Sequence, residues 1–138
     1  MTANRNMDDL APMFRAPFEA WLEEAQATAS HVRIFVTETR RTLERQRHLH
    51  SIGRETPGRI VTTTLDSRHR WGLAADLAMQ RQDGSLIWAE NSWRWLYRVC
   101  PPERYGLRHL DPFELVHLEH RWASEAIAEA EVLGLIQS

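Results

Sequence analysis

The spacing of apolar residues changes abruptly near residue 30, and that change does most to limit what the chain can become. Pro17 to Ser30 carries Phe18, Trp21, Leu22 and Ala25 at the three-to-four spacing of an amphipathic helix, behind a proline tolerated early in a helix. From His31 the period drops to two: Val32, Ile34 and Val36 alternate with His31, Arg33 and Phe35, and this β-branched run predicts a strand. Thr42 to His50 is polar and helix-compatible, with Gly53 suited to a left-handed cap, and Pro57-Gly58 marks a turn. Ile60 to Leu65 and Leu73 to Met79 favour strands, and the turn-like run 81–85 precedes Leu86-Ile-Trp88, which suggests paired strands. Ala89 to Val99 reads as a helix stopped by Pro101-Pro102, Leu115 to His120 as a strand, and Ala123 to Leu133 as an Ala/Glu helix. The class is α+β, a small sheet flanked by helices.

At 138 residues, with no internal repeat or linker, the chain is expected to form one domain, residues 1–138. Its 43% apolar and 26% charged content excludes disordered and fibrous classes. The one cysteine, Cys100, excludes a disulfide framework and a cysteine-cluster zinc site, so a metal would need His and carboxylate ligands. No segment approaches the roughly 20 apolar residues of a membrane span, and the opening MTANRNMDDL lacks a signal-peptide layout, so the product is expected in the cytoplasm where it is made. Charge is uneven: residues 31–70 hold nine Arg against four acids, and residues 103–138 seven acids against three Arg. Such asymmetry steers a basic face toward an anionic polymer. Glu38 and Glu44 interrupt the cluster Arg40, Arg41, Arg45 and Arg47, placed here on one helix, and no stacking aromatics or reader motif accompany it, so nucleic acid is not the expected partner.

The most informative stretch is Ser67-Arg-His69-Arg-Trp-Gly72-Leu-Ala74-Ala-Asp76. It sets an imidazole and a carboxylate seven residues apart, with Gly72 and Ala74 between them to permit close backbone approach. A second cluster, Glu114-Leu-Val-His117-Leu-Glu119, puts His117 and Glu119 on one strand face and Glu114 at the strand entrance. Two His and one Asp make an open zinc site, in which a water occupies the fourth position and a nearby carboxylate takes its proton.

The stretch SRHRWGLAAD resembles the S-x-H-x-x-G-x-A-x-D motif of zinc peptidases that cleave D-Ala-D-Ala or L-Ala-D-Glu bonds in peptidoglycan, the VanY/endolysin type, and all five fixed positions are present. Glu114-Leu-Val-His117-Leu-Glu119 is similar to that family's carboxylate-x-x-His, with Leu118 in place of the usual aromatic. Arg41-Thr42, Gln46, Gly53-Arg54, Pro57-Gly58 and Ile60-Val-Thr62 follow the family's upstream order, so the resemblance spans about residues 31–121. It implies a mostly antiparallel sheet of the Hedgehog/DD-peptidase type, Zn²⁺ on His69, Asp76 and His117, Glu114 as general base and Arg41 at the oxyanion. Ser67 and Gln46 become candidates for binding substrate or supporting the site, and Glu119 for accepting a hydrogen bond from a ligand imidazole. The implied partners are peptidoglycan stem peptides, met by a monomer after release from the cell.

The implied reaction is L-Ala-D-Glu endopeptidase cleavage, with D,D-carboxypeptidase or D-Ala-D-Ala dipeptidase as alternatives and a non-catalytic zinc-containing wall-binding or nucleic-acid-binding module as the reading of another class. Tyr105 to Phe113 departs from the Trp-Gly-Gly-type segment of many relatives; Arg108 and His109 are expected as exposed loop residues, with contact to a substrate carboxylate as the alternative, and Asp111 fits the base spacing less well than Glu114. His31, His48, His50 and His120 carry no metal signal. Trp21, Trp88 and Trp95 are expected in the core, Trp71 at core or cleft, and Cys100 as a buried thiol.

Overall fold

In the computed structural model of the protein, residues 3–55, 57–58, 68–110 and 114–135 are described, the side chains of Leu110 and Glu114 excepted. The expected strand over 60–65 and residues Ser67 and Asp111 lie outside them. The elements run α1 (Pro12–Thr28), β1 (Arg33–Glu38), α2 (Leu43–Ser51), β2 (Ala74–Gln80), α3 (Glu90–Val99), β3 (Leu107–Leu110), β4 (Glu114–His120) and α4 (Ala123–Val132), with short 3-10 turns that include Arg68–Trp71. The strands form one sheet in the order β1-β2-β4-β3 with every pairing antiparallel. Among the described residues, no helix is long and apolar enough to cross a membrane.

Alternation divides the sheet into two faces. Ile34, Leu77, Met79, Leu107 and Leu118 point to one side and join Phe14, Phe18, Trp21 and Ala25 of α1 with Trp93, Leu96 and Tyr97 of α3 in the apolar core. The opposite face takes Asp76, His117, Glu119 and Arg108, which are linked by direct cross-strand pairing of Asp76 with His117 and of Arg108 with Glu119. The core therefore anchors one side of the same strands that display polar groups on the other.

Several expectations shift. Helix α1 begins five residues upstream of the predicted start, with Pro12 at its first position and Pro17 inside it. The apolar stripe outweighs the one backbone hydrogen bond that Pro17 cannot make. Trp88 is 57% exposed, and Trp93 occupies the core instead, its indole N–H donating to the Ile87 carbonyl. Leu86 makes only an isolated bridge to Gln80 and not a strand. Residues 107–110, read as part of a loop, form β3. Arg40 and Arg41 precede α2 instead of lying on it, because Thr42 caps that helix by accepting from the Arg45 N–H.

Candidate metal centre

Two local devices deliver His69. The turn Arg68–Trp71 is followed by Gly72 at φ +71°, and a Cβ there would meet the backbone N of Ala11 at 2.7 Å and the carbonyl of Asp9 at 2.9 Å, so only glycine lets the N-terminal segment lie against the turn. Ala11 N–H donates to the Gly72 carbonyl at 2.9 Å, and Arg41 N–H to the His69 carbonyl at 2.8 Å. The His69 ring, 1% exposed, donates from Nδ1 to the Thr39 carbonyl at 2.8 Å. Thr39 is itself tied down, its N–H and Oγ1 both donating to the Asn4 carbonyl.

His117 arrives from the middle of β4, opposite Asp76 on β2. Its Nε2 faces Oε1 of Glu119 at 2.9 Å, and its Nδ1 faces Oδ1 of Asp76 at 3.3 Å. His69 Nε2 stands 3.1 Å from the same Asp76 oxygen, and the two imidazoles cross at 72° with centroids 5.0 Å apart. One ligand atom from each of His69, Asp76 and His117 lies within 4.8 Å of the others.

The outer nitrogens decide the chemistry of the inner ones. Thr39 O can only accept, so His69 Nδ1 carries the hydrogen and neutral His69 presents a lone pair at Nε2; ionised Glu119 imposes the converse tautomer on His117. Three lone pairs then converge on one point, an arrangement that repels itself unless a cation lies among them. Two ligands about 2.0 Å from a tetrahedral zinc stand about 3.3 Å apart, close to the 3.1 and 3.3 Å that separate Asp76 Oδ1 from the two imidazoles, so the donor set fits that ion. In the metal-free state hydrogens on the inner ring nitrogens relieve that repulsion: burial pushes the Asp76 carboxyl up, but the charge of His69 and the hydrogen bonds from both rings outweigh it and hold the group far below the usual carboxylate range. Glu119 follows the same pattern: burial raises it, and hydrogen bonds from His117 and Arg108 bring it below its ordinary value.

Arg41 lies at the edge of this set, 8% exposed. Its Nη2 donates to Glu38 Oε1 at 2.6 Å and reaches Asp76 Oδ2 at 3.4 Å, and its Nη1 donates to Gln46 Oε1 at 2.7 Å. Glu38 also accepts from Arg45 Nε at 3.1 Å. The structure thus brings together His69, Asp76, His117, Arg41 and Gln46, the last fully buried with its Oε1 accepting from Arg41. Ser67 and the Glu114 side chain are outside the described residues, although the Glu114 backbone opens β4 three residues before His117. His48 is exposed and His120 half-buried, and neither joins the cluster.

Sequence reasoning missed Glu38, Thr39 and the structural part played by Arg108. Thr39 acts through its backbone, which leaves no side-chain signal. Glu38 did carry one, an acid at the end of an apolar strand, and its meaning depended on pairing partners far away in the chain.

No protein-family model matches the chain. It is 37% identical over 82 residues to the peptidoglycan L-alanyl-D-glutamate endopeptidase CwlK of Bacillus subtilis, a match covering 58% of this chain and 48% of the relative. The chain thus spans about half the length of the curated relative it matches. Among solved structures, the L-Ala D-Glu endopeptidase ChiX of Serratia marcescens superposes with a TM-score of 0.63 at 19% identity, covering 91% of this chain and 92% of that one. The vancomycin-resistance D,D-pentapeptidase VanY, a variant in complex with Zn(II), superposes with a TM-score of 0.54 at 17% identity, covering 86% and 78%. The chain thus shares its fold with these enzymes, and over 82 residues its sequence is similar to that of CwlK.

Proposed function

We propose that the chain is a zinc-dependent peptidase that hydrolyses the L-Ala–D-Glu bond of peptidoglycan stem peptides. The observation that carries this reading is the convergence of His69 Nε2, His117 Nδ1 and Asp76 Oδ1, with each imidazole's outer nitrogen already engaged by an acceptor. The relative and the structural neighbour named as L-Ala-D-Glu endopeptidases support the choice of bond. Because one copy of the chain supplies the whole donor set, the proposed acting unit is a monomeric domain, residues 1–138, with the motif-bearing part at about 31–121. The expected partner is the stem peptide and not nucleic acid.

A zinc ion held by His69, Asp76 and His117 would supply Lewis-acid chemistry, polarising the scissile carbonyl and acidifying water. Glu114 is the proposed base: it takes the proton of the attacking water and hands it to the leaving D-Glu amine. Arg41, kept in place by Glu38 and Gln46, offers its guanidinium to the negative charge that grows on the carbonyl oxygen. Gln46 acts through Arg41, and Ser67 is the proposed contact to substrate.

Mass spectrometry of purified peptidoglycan incubated with the zinc-loaded protein, beside a chelator-treated control, tests both reaction and bond. Metal-dependent release of peptides beginning at D-Glu is expected. Free D-Ala would move the activity to a D,D-carboxypeptidase and free D-Ala-D-Ala to a dipeptidase. No cleavage by zinc-bound protein would leave a wall-binding module.

A further inference from the structure

Arg108 has no part in the chemistry above, yet one side chain joins it to the metal centre. It sits on β3 directly across from Glu119. Its Nε and Nη2 donate to Oε2 of Glu119 at 3.0 and 2.8 Å, while the other oxygen, Oε1, stands 2.9 Å from His117 Nε2. Glu119 is 1% exposed, and a carboxylate so removed from water requires a compensating charge and filled lone pairs. Arg68 does not supply the hydrogen bonds: its Nε is 3.9 Å from Oε2, and its Nη2 donates to Ser124. Asp76, His117, Glu119 and Arg108 therefore form a line across β2, β4 and β3 that ends in the one guanidinium hydrogen-bonded to Glu119 among the described residues.

We propose that Arg108 is a positioning residue for the metal centre: by occupying Oε2 of Glu119 it reserves Oε1 for His117 Nε2, so that His117 presents Nδ1 inward and the three ligands take a divalent cation tightly. The inference rests on the reading of His69, Asp76 and His117 as metal ligands. It assigns Arg108 a task different from contact with a substrate carboxylate. A fork with two N–H groups on one oxygen fixes the carboxylate plane in a way a single ammonium does not.

The test is metal affinity, read on metal-free protein by competition for Zn²⁺ against a chromophoric chelator and by the visible bands of bound Co²⁺. Removing outer partners of ligating histidines typically costs 10–100-fold in affinity; one bond further out, Arg108→Met is expected to weaken Zn²⁺ binding by about 3–10-fold and to shift the Co²⁺ bands. Arg108→Lys keeps the charge with a less directional donor, so it should lose about 2–3-fold, and it carries the comparison alone if the Met variant does not fold. In a Glu119→Gln background, Arg108→Met should add nothing, because its route is already cut. Arg104→Met, which removes an exposed pair to Glu24, should match the parent. Parental affinity and bands in both Arg108 variants, with KM alone changed, would overturn the inference and leave the metal reading standing, as would losses that add in the double variant. A parent chain that takes up neither metal would overturn both.

Discussion

Glu38 faces Asp76 across β1 and β2, one step out of phase with the rest of its strand. Ile34 pairs with Met79 and Val36 with Leu77, all on the core side, and the register then slips by one residue so that Glu38 pairs with Asp76 on the opposite face. A bulge of this kind re-aims a side chain without breaking the sheet. Here it sends an acid that strict alternation would bury among Ile34 and Val36 to the metal side, where it binds Arg41 and Arg45 and draws the Arg41 guanidinium closer to itself than to Asp76.

Replacing Glu38 should therefore affect the site as well as the fold. Glu38→Gln leaves the buried Arg41 without its counter-charge at 2.6 Å, and such a change costs about 3 kcal/mol or more. The freed guanidinium is expected to shift onto Asp76 and compete with the metal for its oxygens. Urea unfolding of metal-free protein should show the loss of stability, and a Zn²⁺ titration should show weaker binding; unchanged values in both would remove Glu38 from the site.

Binding and turnover should separate between Glu114 and His117. Glu114→Ala should keep its zinc and its fold while losing at least about 100-fold in turnover, the scale of a lost general base. His117→Ala should lose the metal itself. Thermal unfolding distinguishes them, because a ligand bound only to the folded state raises stability by RT ln(1 + [L]/Kd), about 2.7 kcal/mol at 100 Kd. Added Zn²⁺ should raise the Tm of the parent and of Glu114→Ala and leave His117→Ala unmoved. An active Glu114→Ala enzyme would defeat the proposed base.

Gly72→Ala is expected to be severe for so small a change. An alanine at φ +71° costs about 1–2 kcal/mol in backbone strain alone, and its methyl would push the N-terminal segment away at Ala11 and Asp9. Since the Asn4 carbonyl in that segment anchors Thr39, whose carbonyl holds His69, the variant should lose zinc affinity together with stability. Denaturation midpoint and metal titration are the measurements. An effect on stability with parental zinc affinity would mean that the segment supports the fold alone.

Cys100 should behave as a thiol that reacts only on unfolding. Burial pushes it up to about 11, with the neighbouring charge and hydrogen bond of Glu24 acting in the same direction. A thiol with a folded pKa above its unfolded value, about 8.5, contributes stability that is present below that pH and lost as pH rises from about 8.5 to 11. Over this window the parent should lose more stability than Cys100→Ala, and at pH 8 a disulfide reagent should label it only in denaturant. Rapid labelling of the native protein would contradict the burial.

Local patterns along the chain determined much of this protein. The change from period 3.6 to period two near residue 30 announces α1 and β1, the run 114–119 places His117 and Glu119 on one face by alternation, and the seven-residue step from His69 to Asp76 with a glycine between them marks the metal loop. These features are legible because each depends on neighbours within a few residues. Tertiary structure alone decided that Glu38 turns to the metal side, that Arg108 lies in a strand against Glu119 instead of in a loop, that Trp93 and not Trp88 fills the core, and that the Asn4 carbonyl braces the Thr39–His69 contact. The physical reason is common to all four. Register, bulge position and burial are set by pairing and packing between segments far apart in sequence, where a slip of one residue carries a side chain to the other face of the sheet.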